Sequence, residues 1–189
     1  MNELFYDVPA EGYRELYGEE QIVKYRLVFN NIGLRASRVL DIGCGIGLLA
    51  EYLGNSGFDG LYVGVDIDSY RVKYARKNYR VHSIEYVVAD AQNLPFRDKC
   101  FHVSVSFTVI HLLHMERAVK EAARTSRHLM VFTLLKKRED LKERLLREIQ
   151  KTGRVVEIRN LQSRDHLFLV SLDQKRNLYY PSTRIDLRT

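Results

Sequence analysis

Val39-Leu40-Asp41-Ile42-Gly43-Cys44-Gly45-Ile46-Gly47 is the stretch on which the fold turns. Arg38–Ile42 is the predicted first strand, a short apolar run broken by one acid at Asp41, the pattern of a buried strand in a parallel sheet. Glycines at 43, 45 and 47 then let the backbone turn tightly and approach a ligand with no side chain between. The predicted helix that follows spans Gly47–Ser56, on the apolar spacing of Leu48, Leu49 and Leu53. Strand, glycine turn and helix in that order open a unit in which ligands sit beyond the strand's carboxyl end.

Outward from this loop the alternation continues. Upstream, Ile22, Tyr25, Leu27, Val28 and Ile32 predict a helix over Glu19–Asn31, ended by Gly33. Downstream, strands are expected at Leu61–Val65, Ile84–Ala89, Phe101–Phe107 and His128–Leu134. Helices are expected at Ser69–Tyr79, Met115–Thr125 and Arg138–Lys151. Arg154–Arg159 and His166–Leu172 are strands with no helix between them, which implies a hairpin. The expected fold is α/β: a doubly wound, mostly parallel seven-stranded sheet with helices on both faces and an antiparallel C-terminal edge hairpin. One domain is expected over residues 1–189, with an N-terminal helical segment at 1–35, a core at 36–172 and a tail at 173–189 that shows no clear period.

Composition narrows the class. Of 189 residues, 46% are hydrophobic, ordinary for a globular chain. No apolar run approaches the ~20 residues of a membrane helix, and Met1–Asp7 does not read as a secretory leader. Cys44 and Cys100 are isolated, which gives neither a disulfide framework nor a metal site and suits reduced thiols in the cytoplasm. The net charge is +6 and the pI about 9.3. Basic residues concentrate at 71–80, 136–151 and 184–188. Such a balance suits a polyanion such as RNA, and it equally suits a solvated surface rich in ion pairs. Glutamates interleaved in 136–151 favour the second reading there.

The loop is not a dinucleotide fingerprint. G-x-G-x-x-G counted from Gly43 requires glycine where Leu48 stands. Counted from Gly45 it tolerates Ala50 but leaves Asp41-Ile42-Gly43 unexplained. An acid at the end of the first strand repels a pyrophosphate and attracts a cationic amino group. Two further strands end on acids. Asp66, in Gly64-Val65-Asp66-Ile67-Asp68, can accept from both hydroxyls of a ribose, with Ile67 offering an apolar face to a base. Asp68 and Ser69 read as caps of the next helix. Asp90, in Ala89-Asp90-Ala91, can accept from an adenine amine beside the Ala91 backbone, or bond its own turn.

Together these elements resemble the class I S-adenosylmethionine-dependent methyltransferases over residues 36 to 135. Val39–Gly47 looks like the family's first motif, Gly64-Val65-Asp66 its second, and Ala89-Asp90-Ala91 with Leu94-Pro95-Phe96 its third. The resemblance implies S-adenosylmethionine as cofactor. Its methionine part is then held by Asp41, Gly43, Cys44, Gly45 and Gly47, its ribose by Asp66, and its base by Ile67, Asp90 and Ala91, with Phe107 alongside. Ala10–Gly18 looks like the segment that folds over the cofactor in many members, with Tyr13 and Tyr17 the candidates for contact or for packing. After the fourth strand the chain lacks the Asn/Asp-Pro-Pro-Tyr/Phe signature of many amine and amide methylases. Phe107-Thr108-Val109-Ile110-His111 looks closest to the quinone-biosynthesis-like branch. His111 is the candidate acid/base or acceptor contact, with a loop-stabilising role the alternative. Three readings of the whole stay open: methylation of RNA or a translation component, methylation of a small metabolite, and a non-catalytic cofactor-binding subunit. The absence of a separate substrate domain points to a homodimer or a small activating partner protein.

Overall fold

The computed structural model describes residues 8–30, 32, 34, 37–79, 83–160 and 162–173. The expected stop at Gly33, the tail after Asp173 and the basic residues at 184–188 lie outside them. Strands β1 (Arg38–Ile42), β2 (Leu61–Asp66), β3 (Ile84–Val88), β4 (Phe101–Ser106), β5 (Ser126–Leu135), β6 (Arg154–Ile158) and β7 (Asp165–Ser171) form one sheet in the order β3-β2-β1-β4-β5-β7-β6. The first five run parallel; β7 is antiparallel to both β5 and β6. The C-terminal hairpin is therefore present. It is its second strand, with six of seven residues buried, that enters beside β5, while the more exposed β6 forms the edge.

Alternation along each strand divides the core between two faces. Val39, Tyr62, Val103, Val131 and Leu169 pack under α1 (Ala10–Phe29), α2 (Leu48–Asn55) and α3 (Ser69–Asn78). Leu40, Val63, Met130, Phe132 and Phe168 pack under α4 (Met115–Thr125) and α5 (Lys142–Gln150). α5 is shorter than predicted, because a 3-10 turn over Lys136–Leu141 with a break at Arg138 precedes it. α3 is capped by Asp68, whose side chain accepts from the backbone N–H groups of Tyr70 and Arg71; Ser69 is the first helical residue.

α1 departs most from its predicted span, beginning at Ala10 rather than Glu19. Its first turns carry no apolar stripe, and tertiary bonds hold them. Arg14 pairs with Glu51 and donates to the Tyr79 hydroxyl, Tyr70 donates to Glu11 at 2.6 Å, and Arg71 donates to the Val8 carbonyl at 2.9 Å. The helix thereby lies across α2 and α3 at the carboxyl end of the sheet. Strand order reverses between β1 and β4, and in an open α/β sheet that reversal places the crevice there.

Candidate active site

The glycine loop leaves β1 with Gly43 at φ +79°, Gly45 at +52° and Gly47 at +86°, all in the region that glycine alone enters at little cost. The Val65 carbonyl on β2 accepts from the N–H groups of both Gly43 (2.7 Å) and Cys44 (2.9 Å). Around Gly45 a methyl group would meet nothing within 4 Å, so the loop backbone faces an open cleft at that point. Gly47 is instead enclosed: a methyl there would come 2.8 Å from the Tyr86 hydroxyl and 3.0 Å from Ala75. Gly47 serves the turn into α2.

Asp66 fastens the loop from the next strand. Its carboxylate accepts from the Gly45 N–H at 2.8 Å and the Asp68 N–H at 3.0 Å. Each oxygen keeps a lone pair for a further donor. Burial raises its pKa, and the two backbone bonds oppose that rise.

Asp41 is 3% exposed and accepts from the Tyr62 hydroxyl at 2.6 Å. Burial pushes its pKa up to about 7, against the lowering effect of Tyr62, and Asp66 nearby adds to the rise. Among the described residues, no cation is among the groups that shift it. A buried carboxylate lining a cleft without a counter-charge is a receptor for a ligand cation.

At the third strand end, Asp90 accepts from the Gln92 backbone N–H at 2.8 Å and its side-chain amide at 3.1 Å. It bonds its own turn while still lining the cleft. The wall that follows β4 is apolar, formed by Phe107, Val109, Leu112 and Leu113.

One cleft thus gathers most of the residues singled out from sequence: Tyr13, Asp41, Gly43, Cys44, Gly45, Asp66, Ile67, Asp90, Ala91 and Phe107. Three lie outside its lining. Gly47 is packed as described. Tyr17 packs against Tyr13 with ring centroids 5.0 Å apart and the rings tilted by 46°, and so backs the residue that does line the cleft. His111 sits in a 3-10 turn (Ile110–Leu112) that turns Leu112 and Leu113 into the wall instead. Its pKa is lowered, first by burial and then by Arg138, and its Nδ1 is buried with no hydrogen-bond partner among the described residues. Gln21, Tyr25 and Arg71 line the cleft without having been marked in the sequence. The first two lie on the buried face of α1. Arg71 reaches in from α3, its guanidinium 5.2 Å from the Tyr13 ring centroid.

The donors and acceptors fit S-adenosylmethionine: Asp41, with no counter-charge among the described residues, suits an ammonium; the backbone is bare at Gly45; Asp66 has acceptors to spare for hydroxyls; and apolar faces lie beyond. Residues 40–129 match the family described as "Methyltransferase domain". The phthiotriol/phenolphthiotriol dimycocerosates methyltransferase of Mycobacterium tuberculosis is 30% identical over 122 residues, 64% of this chain and 45% of that protein. This chain thus spans less than half of that relative's length. Among solved structures, the Haloferax volcanii methyltransferase complex with its Trm112 activator matches with a TM-score of 0.69 at 13% identity, covering 86% of this chain and 93% of that one. Magnesium protoporphyrin IX methyltransferase from Synechocystis PCC 6803, solved with S-adenosylmethionine bound, matches at 0.66 and 15%, covering 90% and 88%. Residues 40–129 thus match a methyltransferase domain, and the chain shares the fold of these methyltransferase structures.

Proposed function

We propose that this protein transfers a methyl group from S-adenosylmethionine to a small, largely apolar acceptor. The observation that carries the acceptor is the wall of Phe107, Val109, Leu112 and Leu113 where the chain leaves β4, with the Gln21 amide the polar group beside it. Bound S-adenosylmethionine supplies an electrophilic methyl carbon on a sulfonium. The chain's own residues then bind and align. Asp41 holds the ammonium, Asp66 takes the ribose hydroxyls through its spare lone pairs, and Ile67 and Ala91 flank the base with Asp90 at its edge. Alignment of acceptor, methyl and sulfur provides much of the rate in such a displacement, which suits a wall with few titratable groups. Among the described residues, Arg71 pairs with Asp68, Arg138 with Asp140 and Arg164 with Glu20, which leaves less unpaired positive charge for a polyanion. The matched mycobacterial relative is named for phthiotriol and phenolphthiotriol dimycocerosates, in keeping with a small-molecule acceptor rather than RNA.

Methyl-labelled S-adenosylmethionine, incubated with the protein and a cell extract, tests this. Extract is included because the Haloferax volcanii neighbour was solved with an activator, and a small partner requirement would otherwise read as inactivity. Label is expected in the small-molecule and lipid fraction. Label in RNA or protein instead would overturn the acceptor class. No label in any fraction, from a protein that binds the cofactor, would overturn catalysis in favour of a binding subunit.

A further inference from the structure

Thr108, the second residue beyond β4, stands at φ +61°. A β-branched residue in the left-handed region is costly, by about 1–2 kcal/mol. A buried network holds it there. Its N–H donates to the Thr133 hydroxyl at 2.7 Å, and its own hydroxyl donates to Asp165 Oδ2 at 2.8 Å. Thr133 donates to the same oxygen at 2.7 Å. Lys24 Nζ, from α1, donates to the Thr108 hydroxyl at 2.8 Å and lies 3.1 Å from Asp165 Oδ2 and 2.9 Å from Glu20. The side chains of Lys24 and Asp165 are wholly buried.

Stability does not account for this arrangement. Burying an ion pair contributes little net stability, because desolvation offsets the attraction. The network is also incomplete: Asp165 Oδ1 and Gln21 Oε1 are buried with no hydrogen-bond partner among the described residues. A purely structural polar cluster is normally satisfied. What the network does control is the cleft. Phe107 and Val109, on either side of Thr108, both line it. The Val109 methyls press on the glycine loop so closely that an added Cβ on Gly43 would lie 2.5 Å from one of them. Phe107 meets the Tyr25 ring edge-on at 4.9 Å, and Tyr25 belongs to α1 one position beyond Lys24.

We propose that Lys24, Thr108 and Asp165 are positioning residues, which lock α1 and the strained turn after β4 together and thereby set both against the glycine loop around the cofactor. This rests on the reading that the cleft binds S-adenosylmethionine. Strain at a ligand site, held by surrounding bonds, is where function is stored in a backbone. The network joins the helix that covers the cofactor to the turn that faces the acceptor, so both walls share one constraint.

Calorimetric titration with S-adenosylhomocysteine, paired with thermal melting, tests it. The double variant Lys24→Met/Asp165→Asn removes both charges together and is expected to melt within a few degrees of the wild type while binding at least about tenfold more weakly. Thr108→Ser keeps the hydroxyl and is expected to bind within about threefold of the wild type, whereas Thr108→Ala loses at least about tenfold. A double variant that melts and binds like the wild type would overturn the proposal. So would Thr108→Ser binding as weakly as Thr108→Ala, a comparison that stands even where the double variant does not fold. Absence of binding by the wild type itself would overturn the cofactor reading instead.

Discussion

Asp41→Asn is expected to make the ligand-free protein more stable at pH 8 and a much poorer binder of S-adenosylmethionine. The folded-state pKa of about 7 stands above the unfolded value of 3.8. The folded protein therefore retains a proton that the unfolded chain has released. Stability from this group is lost as pH rises from near 4 to near 7 and stays lost above that. Three pKa units correspond to about 4 kcal/mol at pH 8. Asparagine removes that cost but introduces a buried amide N–H worth about 1–3 kcal/mol if unpaired. The net gain expected on chemical denaturation at pH 8 is about 1–3 kcal/mol; it falls as pH drops and reverses toward pH 4, where the amide alone leaves the variant about 1–3 kcal/mol less stable. Binding moves the other way. A charge-assisted hydrogen bond to the ligand ammonium contributes about 1.5–3 kcal/mol, so affinity at pH 8 falls by roughly 10- to 100-fold. Wild-type binding near pH 6.5 also releases protons, measurable by calorimetry in buffers of different ionisation enthalpy, and the variant's does not. An Asp41→Asn protein that binds as tightly as the wild type would remove the ammonium from Asp41.

Alanine at two glycines of one loop is expected to separate folding from binding. At Gly43 a Cβ would stand 2.5 and 2.7 Å from the γ-methyls of Val109 and 3.0 Å from its β-carbon, on a backbone at φ +79°. Left-handed strain and overpacking together cost about 2–5 kcal/mol, a fall in melting temperature on the order of 10 °C for a chain of this size. At Gly45 the same methyl meets no protein atom within 4 Å, and only the strain of φ +52° remains, about 1–2 kcal/mol. Gly45→Ala is therefore expected to fold, and to lose at least about tenfold in affinity because its methyl fills the cleft. Melting curves and titrations of the pair decide it. A Gly45→Ala protein with wild-type affinity would move the cofactor away from the loop.

β1, β2 and β3 were legible because each is a short apolar run closed by glycine or an acid, and the sheet buries both faces. Asp41, Asp66 and Asp90 were legible for the same reason: a strand end is a fixed place, and three acids at successive strand ends share one rim. The first half of α1 was not. Glu11, Gly12, Arg14, Glu15 and Gly18 carry no helical stripe, and the helix exists through bonds to α2 and α3. Nor does any local pattern show that β7 rather than β6 enters beside β5. His111 illustrates the limit at the site. Its sequence position after β4 is that of a residue at the acceptor, yet the 3-10 turn gives the wall to Leu112 and Leu113. The network of Lys24, Thr108, Thr133 and Asp165 joins four elements far apart in the chain, so no spacing rule finds it.

The most direct test of the cleft is a titration of the wild-type protein with S-adenosylhomocysteine and, in parallel, with NAD. The acids at 41 and 66 and the leucine at 48 predict one saturable site for S-adenosylhomocysteine and no heat with the pyrophosphate-bearing dinucleotide. Binding of NAD with no binding of S-adenosylhomocysteine would contradict the assignment.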